Sequence, residues 1–465
     1  MFPGLTLAYW LTVHGLVTFV AVLLYAITAH VLQQRRHPTA AIAWVLFILL
    51  MPYVALPAFL TFGSRKQARP RNRPLATRPA TDAEGPWAIQ TALALGQPAP
   101  MPYEDLRIHA DGRAALAALW QTIADAQQSI DLCTFIIGRD AIGHALLDRL
   151  IAKARDGVKV RVMLDGLGSL MARRPSMRPL RAAGVEFLLF VPPLHSPLKG
   201  RTNLRDHRKM LVADAGLPTQ RLWCGGRNLA SEYFEGEPGT PPWRDLSFDL
   251  GGAFVRQASA LFAHDWAFAN GARRHHEIEG PVGETAPAAS AQLIASGPDQ
   301  ADDTVYSLLV TAAYRARRRI ALITPYFVPD ATLLTALCLA ARRGVQVDLL
   351  VPARSNHGMS DVARRRALRA LDAAGGRIWV LPQMIHAKLA VIDDALALAG
   401  SANLDSRSLF LNYELMVAFN DGEAITRFAS WFEHELAGAV RLEPKRAGLF
   451  TDIGEGLVLW LGFQL

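Results

Sequence analysis

Two short segments of the sequence repeat one pattern of reactive side chains. Residues 207–214 read His-Arg-Lys-Met-Leu-Val-Ala-Asp and residues 386–393 read His-Ala-Lys-Leu-Ala-Val-Ile-Asp, so both fit H-x-K-x-x-x-x-D. In an extended chain, positions i and i+2 point to the same side, so each histidine and its lysine should project into one cleft. One such segment alone would suggest a core histidine beside a surface lysine. Two matching segments favour shared chemistry.

The residue types suit transfer of a phosphoryl group. A neutral imidazole can attack phosphorus, and a second, protonated imidazole can give its proton to the leaving oxygen. His207 and His386 are therefore the candidate nucleophile and acid–base group. Lys209 and Lys388 are predicted to stabilise the negative charge on the phosphate oxygens with their ammonium groups.

Further polar residues occur at corresponding places in the two copies. A glycine-containing turn ending in asparagine follows each segment, at Asn228 and at Asn403, and the amide groups are predicted to bind phosphate. Asp245 and Glu414 follow these turns. A carboxylate that accepts the Nδ1–H of a histidine fixes the tautomer that presents Nε2 to phosphorus. We therefore expect Asp245 and Glu414 to orient the histidines.

The aspartates that close the two segments, Asp214 and Asp393, are included among the candidate catalytic residues. The alternative is a structural role in holding their loops. No metal site is predicted, because the sequence has neither H-E-x-x-H nor C-x-x-C and its Asp-Asp pairs lack the alternate spacing of a calcium loop. For His357, lining the cleft and lying in a solvated loop remain equal alternatives.

The elements that must position these residues follow from the hydrophobic pattern, which alternates between short β-branched runs and longer helical stretches. Gly157 and Gly344 are each predicted to end a helix just before a valine-rich strand. The pattern predicts an internal duplication, with two α/β units facing one cleft. The first unit has strands at 129–137, 158–165 and 185–191 and a helix at 141–155; the second has strands at 319–325, 345–351 and 377–381 and helices at 331–343 and 361–374.

The first 64 residues differ from the rest, because Arg35 and Arg36 are their only charged side chains apart from histidine. The run from Leu5 to Leu32 is long enough to cross a bilayer, and a second apolar run follows. A two-helix transmembrane hairpin is predicted over 1–64, with a buried helical hairpin as the alternative. Pro52 and Pro57 can bend the second span. Positive side chains cluster after it, which places the remainder in the cytoplasm: Arg65, Lys66, Arg69, Arg71 and Arg73.

The whole chain has a formal net charge of +8 and three cysteines, which exclude a disulfide scaffold. The predicted domains are a hairpin at 1–64, a basic, proline-rich linker at 65–104 and α/β domains at 105–285 and 286–465. The arginine run 364–366 is interpreted as a solvated helix face, with contact to lipid phosphate as the alternative. The apolar tail 453–465 is expected either to return to the membrane interface or to cap the second domain.

The sequence resembles the bacterial cardiolipin synthases of the phospholipase D superfamily, whose signature is the duplicated H-x-K-x-x-x-x-D motif. The resemblance rests on that motif and on the following segments: 38–44, 165–169, 243–245, and 400–414 with Asn403, Arg407 and Ser408. It implies two phospholipase D-like α/β sandwich domains that share one active site. It also implies that two phosphatidylglycerol molecules give cardiolipin and glycerol through a phosphohistidine. Analogy with the wider superfamily favours His207 as the nucleophile, but the sequence does not decide between His207 and His386.

The same resemblance implies no metal and no cofactor. It implies phosphatidylglycerol, other anionic phospholipids and the membrane as partners, no nucleic acid, and a place in the bacterial inner membrane with the catalytic domains in the cytoplasm. The sequence does not distinguish phosphatidylglycerol from phosphatidylethanolamine as donor, and it leaves the oligomeric state open. Hydrolysis of a phosphodiester in lipid, or less readily in nucleic acid, is the alternative function. A catalytically inactive scaffold is disfavoured because both motifs are complete.

Overall fold

A computed structural model describes residues 7–31, 38–62, 86–192, 203–271, 289–300 and 302–461 of the chain. The helices are α1 (Leu7–Val31), α2 (Pro38–Leu50), α3 (Pro52–Phe62), α4 (Trp87–Ala94), α5 (Gly112–Asp125), α6 (Ala141–Arg155), α7 (Gly166–Met171), α8 (Arg178–Ala182), α9 (Val255–Ala269), α10 (Thr304–Arg315), α11 (Ala331–Arg342), α12 (Gly358–Ala373), α13 (Ser406–Phe410), α14 (Gly422–Ala437) and α15 (Leu449–Leu461).

The strands are β1 (Met101–Pro102), β2 (Glu104–Ile108), β3 (Ser129–Thr134), β4 (Lys159–Leu164), β5 (Glu186–Leu189), β6 (Arg205–Asp206), β7 (Met210–Ala213), β8 (Arg221–Gly225), β9 (Ser247–Gly251), β10 (Ser290–Ser296), β11 (Arg319–Ile323), β12 (Phe327–Val328), β13 (Gln346–Pro352), β14 (Arg377–Leu381), β15 (Leu389–Ile392), β16 (Leu396–Gly400), β17 (Leu404–Asp405), β18 (Asn412–Phe419) and β19 (Val440–Leu442).

Two mixed sheets repeat one strand order. The first runs β2-β9-β8-β7-β3-β4-β5, and the second contains β10-β18-β16-β15-β11-β13-β14 with β1 and β19 added at its edges. In both sheets three strands are parallel (β3-β4-β5 and β11-β13-β14), and the strand within each motif, β7 or β15, is antiparallel to its central neighbour, β3 or β11. The predicted α/β duplication is therefore confirmed.

The elements in each unit follow the sequence signals closely. Helix α6 covers 141–155 as predicted, and its start is fixed by Asp140, whose side chain accepts a hydrogen bond of 2.8 Å from the backbone N–H of Gly143. Gly157 and Gly344 have φ of +88° and +89°. A residue with a side chain would be strained there, so these glycines end helices α6 and α11.

Hydrophobic side chains form layers on both faces of each sheet. One cluster lies between the first sheet and α5, α6 and α8, and another lies between the second sheet and α4, α10, α11 and α12. The third cluster joins the inner faces of the two sheets through α9 and α14, with Phe262 and Phe428 among its buried members. The two units therefore share a core and do not fold around separate ones.

Part of the predicted linker belongs to the folded region. Residues 65–85 lie outside the described residues, but α4 packs on the second sheet and β1 pairs with β10. The side chain of Gln97 accepts a hydrogen bond of 2.8 Å from the N–H of Ala295. The chain thus packs against the second unit before it enters the first sheet at β2. The proline-rich composition of this segment had predicted a linker instead.

The N-terminal region forms three helices where two were predicted. The second apolar run is divided at Pro52 into α2 and α3, where proline lacks the N–H that a continuous helix needs. Tyr25, Ile48 and Phe59 meet in a small buried cluster. Within the described ranges, no helix has both the length and the hydropathy to cross a membrane. The turn with Arg35 and Arg36 and the basic stretch 65–73 lie outside the described residues.

The arginine run on α12 does not form the solvated face that was expected. Arg364 is buried and donates hydrogen bonds of 2.9 and 3.0 Å to the carbonyl oxygens of Pro352 and Ala353. Arg366 pairs with Asp452 of α15 at 2.7 Å. Helix α15 therefore attaches to α12 through ion pairs. Its side chains Ile453 and Leu457 are exposed, which does not fit the alternative in which the tail caps the domain core.

Candidate active site

Each motif histidine follows a short segment that crosses to the other half of the molecule. Strand β6, just before His207, pairs in parallel with the start of β18, just before Glu414. In the same way Arg244, just before Asp245, forms a parallel bridge with Ile385, just before His386. The H-x-K segments themselves lie in these crossings, just before strands β7 and β15 begin at Met210 and Leu389.

The crossings bring a carboxylate of one half to the histidine of the other. Nδ1 of His207 lies 3.0 and 3.1 Å from the two carboxylate oxygens of Glu414. Nδ1 of His386 lies 2.7 Å from Oδ2 of Asp245. When Nδ1–H donates to the carboxylate, Nε2 is left with its lone pair for chemistry. The expected orienting residues thus reach the histidines, and each pair contains one residue from each half.

The two carboxylates are held by different neighbours. Glu414 also accepts hydrogen bonds from the hydroxyls of Ser401, at 2.5 Å, and Ser408, and from Nδ2 of Asn412 at 3.3 Å. Asp245 instead accepts one of 2.7 Å from the N–H of Leu246. Both carboxyl groups are fully buried. Burial alone raises their pKa, but the neighbouring histidine and lysine hold the pKa of each below its usual range.

Burial controls the protonation of the histidines and lysines. It lowers the pKa of His207 to about 4 and that of His386 to about 3, against the opposing effect of the carboxylates. It also lowers the pKa of Lys209 to about 8 and that of Lys388 to about 7. The charge of Lys388 contributes to the low pKa of His207, and that of Lys209 to the low pKa of His386. The four groups therefore act in one electrostatic site.

The two lysines lie beside their own histidines. Nζ of Lys209 donates a hydrogen bond of 2.6 Å to the carbonyl oxygen of His207. Nζ of Lys388 lies 2.8 and 3.0 Å from the ring nitrogens of His386 and also donates to its carbonyl oxygen. A positive charge at this position can stabilise a phosphate oxygen bound next to Nε2.

The asparagines occupy equivalent buried positions. Nδ2 of Asn228 donates to the hydroxyl of Tyr233 at 2.8 Å, and the backbone N–H of Asn403 donates to the hydroxyl of Ser408 at 2.9 Å. Among the described residues, Oδ1 of each asparagine is buried without a hydrogen-bond partner. Buried polar atoms are normally paired. Each unpaired atom is a hydrogen-bond acceptor, so it would suit a ligand group that donates, such as a hydroxyl.

The motif aspartates have a different environment. The carboxylate of Asp214 accepts hydrogen bonds of 2.7–2.9 Å from the backbone N–H groups of residues 127, 128 and 129. That of Asp393 accepts bonds of 2.7–2.9 Å from residues 317, 318 and 319. Both aspartates have φ near +50°. These contacts attach the loop after the motif strand to the start of the central strand, which is a structural role.

Aromatic residues that the sequence analysis missed surround the histidines. The ring centroid of Phe135 lies 5.0 Å from that of His207, and the ring centroids of Tyr233 and Trp243 lie 5.2 and 5.7 Å from that of His386. No repeated pattern marks them. His357 contacts the ring of Tyr326 at 5.2 Å, and burial lowers its pKa.

Another missed residue is Arg208, which is fully buried within the first motif. It pairs with Asp265 and donates hydrogen bonds of 3.1 and 3.2 Å to the carbonyl oxygens of Glu414 and Ser296. The second motif has alanine at the corresponding position, so the repeat gave no signal for it. Within the described ranges, no group of three or more potential ligands could hold a metal ion.

Comparison with known proteins gives matches to two families and to named relatives. The chain matches the family described as cardiolipin synthase, PLD-like domain, over residues 119–239 and 309–436, and a phospholipase D-nuclease N-terminal family over residues 19–64. It is 31% identical over 439 residues to cardiolipin synthase A of Pseudomonas putida (strain W619), covering 90% of both chains. It is 28% identical to cardiolipin synthase 1 of Bacillus anthracis over 92% of this chain and 90% of that protein.

A solved structure shares the fold at low sequence identity. The phosphatidylserine synthase of Haemophilus influenzae Rd KW20 superposes with a TM-score of 0.59 and 13% identity, over 81% of this chain and 97% of that one. The likeness supports the arrangement of two similar α/β units. This likeness, the two matched domain segments and the relatives that span nine-tenths of the chain together identify the family. The chain belongs to the cardiolipin synthase family with phospholipase D-like domains.

Proposed function

We propose that this protein has cardiolipin synthase activity and transfers the phosphatidyl group of one phosphatidylglycerol to a second, with release of glycerol. The observation that carries the proposal is the crossed pair of contacts, His207 with Glu414 and His386 with Asp245. Two oriented imidazoles flanked by two lysines supply a nucleophile, an acid and positive charge for a phosphodiester. The named relatives support cardiolipin as the product.

In the first half-reaction, Nε2 of His207 attacks the donor phosphorus. The new N–P bond forms as the bond from phosphorus to the headgroup oxygen breaks. His386, in its protonated form, gives the Nε2 proton to that oxygen, and glycerol leaves. The low pKa of His207 keeps its imidazole neutral for attack. The bound phosphodiester adds negative charge, which raises the pKa of His386 and supports the protonated form that Asp245 also favours.

In the second half-reaction the roles of His386 reverse. The neutral imidazole takes the proton from a glycerol hydroxyl of the second phosphatidylglycerol, and that oxygen attacks phosphorus as the N–P bond breaks. His207 is returned neutral and His386 protonated, so the cycle closes. Each displacement inverts phosphorus, and the product therefore retains the starting configuration. Lys209, Lys388, Asn228 and Asn403 hold the phosphate through both steps.

The proposal is tested with purified protein in detergent–lipid micelles. Phosphatidylglycerol labelled in its acyl chains should leave its label on His207 after denaturation in SDS at alkaline pH, where an N–P bond survives, whereas the headgroup label should appear as glycerol. Mass spectrometry should find cardiolipin in excess of phosphatidic acid. Phosphatidic acid as the main product at saturating lipid would replace this function with the hydrolase alternative. Micelles of phosphatidylethanolamine test the second possible donor.

The N-terminal helices would serve as the membrane anchor, with the catalytic units on the cytoplasmic side. Large apolar side chains on α1–α3 are exposed, including Leu16, Phe19, Leu46 and Leu50, which are 52–76% accessible. Anionic phospholipids are the proposed partners. A reporter fused after Leu465 should be active only inside the cell. A periplasmic alkaline phosphatase signal from that fusion would overturn the orientation.

A further inference from the structure

Helix α15 is attached to the second unit by its charged side. Nη2 of Arg369 lies 2.5 Å from Oε2 of Glu455, and Nη2 of Arg366 lies 2.7 Å from Oδ2 of Asp452. Glu455 is only 2% exposed, although it is a carboxylate on a surface helix. A Cβ on Gly456 would lie 3.0 Å from the Arg366 guanidinium, so the absence of a side chain there gives Arg366 room. The acidic residues of α15 therefore face α12.

The opposite side of α15 is apolar and exposed. Leu449, Phe450, Ile453 and Leu457 have exposed fractions of 73%, 88%, 58% and 60%. Their spacing of three to four residues places them on one face of the helix. An ordinary surface helix buries its apolar face and exposes its charges. The reversed orientation of α15 presents a hydrophobic stripe that an apolar surface would cover.

A cavity of about 560 Å³ lies under this helix, between α12, α15 and the segment after β19. This volume falls within the range of small-ligand sites. Six basic side chains line it against two acidic ones, Asp361 and Glu455, which leaves an excess of four positive charges. The basic residues are Arg354, Arg364, Arg365, Arg369, Lys445 and Arg446.

Half of these basic side chains are not used by the fold. Arg364 and Arg369 have the backbone and carboxylate partners described above, and Arg365 lies 3.8 Å from Glu455. Within the part of the chain that the structure describes, Arg354, Lys445 and Arg446 have no acidic partner. Unpaired positive charge beside an exposed apolar stripe is the combination that attaches proteins to anionic bilayers.

The cavity is also joined by one loop to Tyr326, whose pKa is raised by burial and in part by the carboxylate of Asp245 in the catalytic site. Arg354, in its lining, is followed two residues later by Asn356, whose Oδ1 accepts a hydrogen bond of 2.6 Å from Tyr326. The next residue, His357, contacts the same ring. From Gly358, where α12 begins, to Arg365 the helix rises about 10 Å. One loop therefore joins the cavity to the cleft.

We propose that this cavity binds the headgroup of an anionic phospholipid that remains in the bilayer, while the apolar face of α15 rests on that bilayer. The site is separate from the paired histidines and performs no chemistry. Its positive charge would hold the phosphate, and the stripe from Leu449 to Leu457 would meet the acyl region. The catalytic cleft would thereby be kept at the membrane surface from which its substrates come.

The test captures lipid without turnover, so it stands apart from the proposed reaction. The full chain carrying His386→Ala is placed in phosphatidylcholine nanodiscs containing phosphatidylglycerol with a photoreactive headgroup. Cross-links should map to residues 353–369 and 442–455 as well as to the cleft. The triple variant Arg354→Glu, Lys445→Glu, Arg446→Glu should lower the cross-link yield in those segments about tenfold or more, because charge reversal repels the headgroup.

A matched control reverses three exposed basic residues elsewhere, Arg113→Glu, Arg155→Glu and Arg178→Glu, and should leave the yield unchanged. Thermal melting checks that both triple variants are folded. Undiminished cross-linking in the first variant would overturn the proposal. So would complete competition by millimolar inorganic phosphate, since the cavity would then be a site for free anions and not for a lipid in the bilayer.

The position of α15 is measured independently. A fluorophore on Phe450→Cys, in a Cys338→Ser background, should be quenched by lipids brominated in their acyl chains, because Cys133 and Cys224 are buried and would not react. A fluorophore on Arg155→Cys is the matched control and should remain unquenched. Equal fluorescence with and without brominated lipid at position 450 would contradict contact between α15 and the bilayer.

Discussion

The two catalytic histidines are chemically alike but are held differently. Glu414 receives two serine hydroxyls and an asparagine amide besides His207, whereas Asp245 receives one backbone N–H besides His386. His386 in addition lies within 3.0 Å of the ammonium group of Lys388. These unequal surroundings are a physical basis for the unequal roles in the proposed mechanism, where His207 is the nucleophile and His386 the acid and base.

A phosphatidyl donor whose leaving group departs without being protonated can distinguish the nucleophile from the acid–base group. Phosphatidyl-p-nitrophenol expels nitrophenolate without protonation, so His386→Ala should release one equivalent of nitrophenolate per protein and then stop, for want of a base. His207→Ala should give no burst, since no N–P bond can form. Stopped-flow absorbance measures the burst. A burst in the His207 variant and none in the His386 variant would exchange the two assignments.

The pH dependence of kcat/KM should reveal the ionisation of the buried Lys388. The kcat/KM of the wild-type protein should rise as His207, the nucleophile, loses its proton near pH 4, and fall as Lys388 loses its proton near pH 7. Arginine stays protonated at these pH values. Lys388→Arg should therefore move the falling limb toward pH 8, where Lys209 titrates. An unchanged falling limb in Lys388→Arg would show that another group controls it.

The sequence was sufficient to single out the side chains that the structure brings together, because they are repeated. His207, Lys209, Asn228 and their counterparts could be predicted from the matching segments alone. Which carboxylate serves which histidine could not be predicted, because Glu414 is 207 residues from His207 and the contact depends on the crossing. Arg208 and the aromatic residues have no repeated signal, since their counterparts in the other half are of different types.

At the scale of elements, one glycine turn packs tightly against a carboxylate of the site. A Cβ built on Gly226 would lie 2.2 Å from Oδ1 of Asp245, a distance at which one of the two must move. Gly226→Ala should displace Asp245 and lower kcat roughly 10²-fold, because small misplacements at a reacting group cost about that much. Gly422→Ala, where a Cβ would contact nothing within 4 Å, is the control. Equal kcat in both variants would contradict this role for Asp245.

The loops closed by Asp214 and Asp393 should matter for stability and not for chemistry. Asp393→Ala leaves three backbone N–H groups without their acceptor and should cost about 1–3 kcal/mol of unfolding free energy. Denaturant unfolding measures it, and kcat of the folded variant should stay within a few-fold. The neighbouring Asp394→Ala removes an exposed ion pair with Arg318 and should be nearly neutral. Loss of kcat with unchanged stability would make Asp393 catalytic.

Long elements were predictable and short ones were not. The helix over 141–155 has an amphipathic pattern, an aspartate cap and a terminating glycine, and its bounds matched. Strand β6 has two residues, too few to show a period, although it positions His207. The helix α4 was concealed by the prolines around it. The sequence thus predicts the scaffold better than the short crossings that complete the site.

At the scale of the whole molecule, the shared core and the crossed carboxylates make the site a property of one intact chain. His207→Ala and His386→Ala should each abolish cardiolipin formation and not halve it. Mixing the two variants in one micelle should restore nothing, because each chain still lacks one histidine of its own site. Mass spectrometry of the product lipids measures both results. Recovery on mixing would show that sites form between chains.

The crossing of β6 onto β18, matched by the bridge at Arg244 and Ile385, also constrains how such a chain can diverge over generations. After a gene duplicates, one copy is ordinarily free to accumulate changes while the other retains the activity. Here neither half of the chain has that freedom. A substitution at Asp245 alters the surroundings of His386 in the second half, and a substitution at Glu414 alters those of His207 in the first half. Changes in the two halves are therefore coupled. If one histidine becomes specialised as the nucleophile, the other half, which supplies its carboxylate, must change with it.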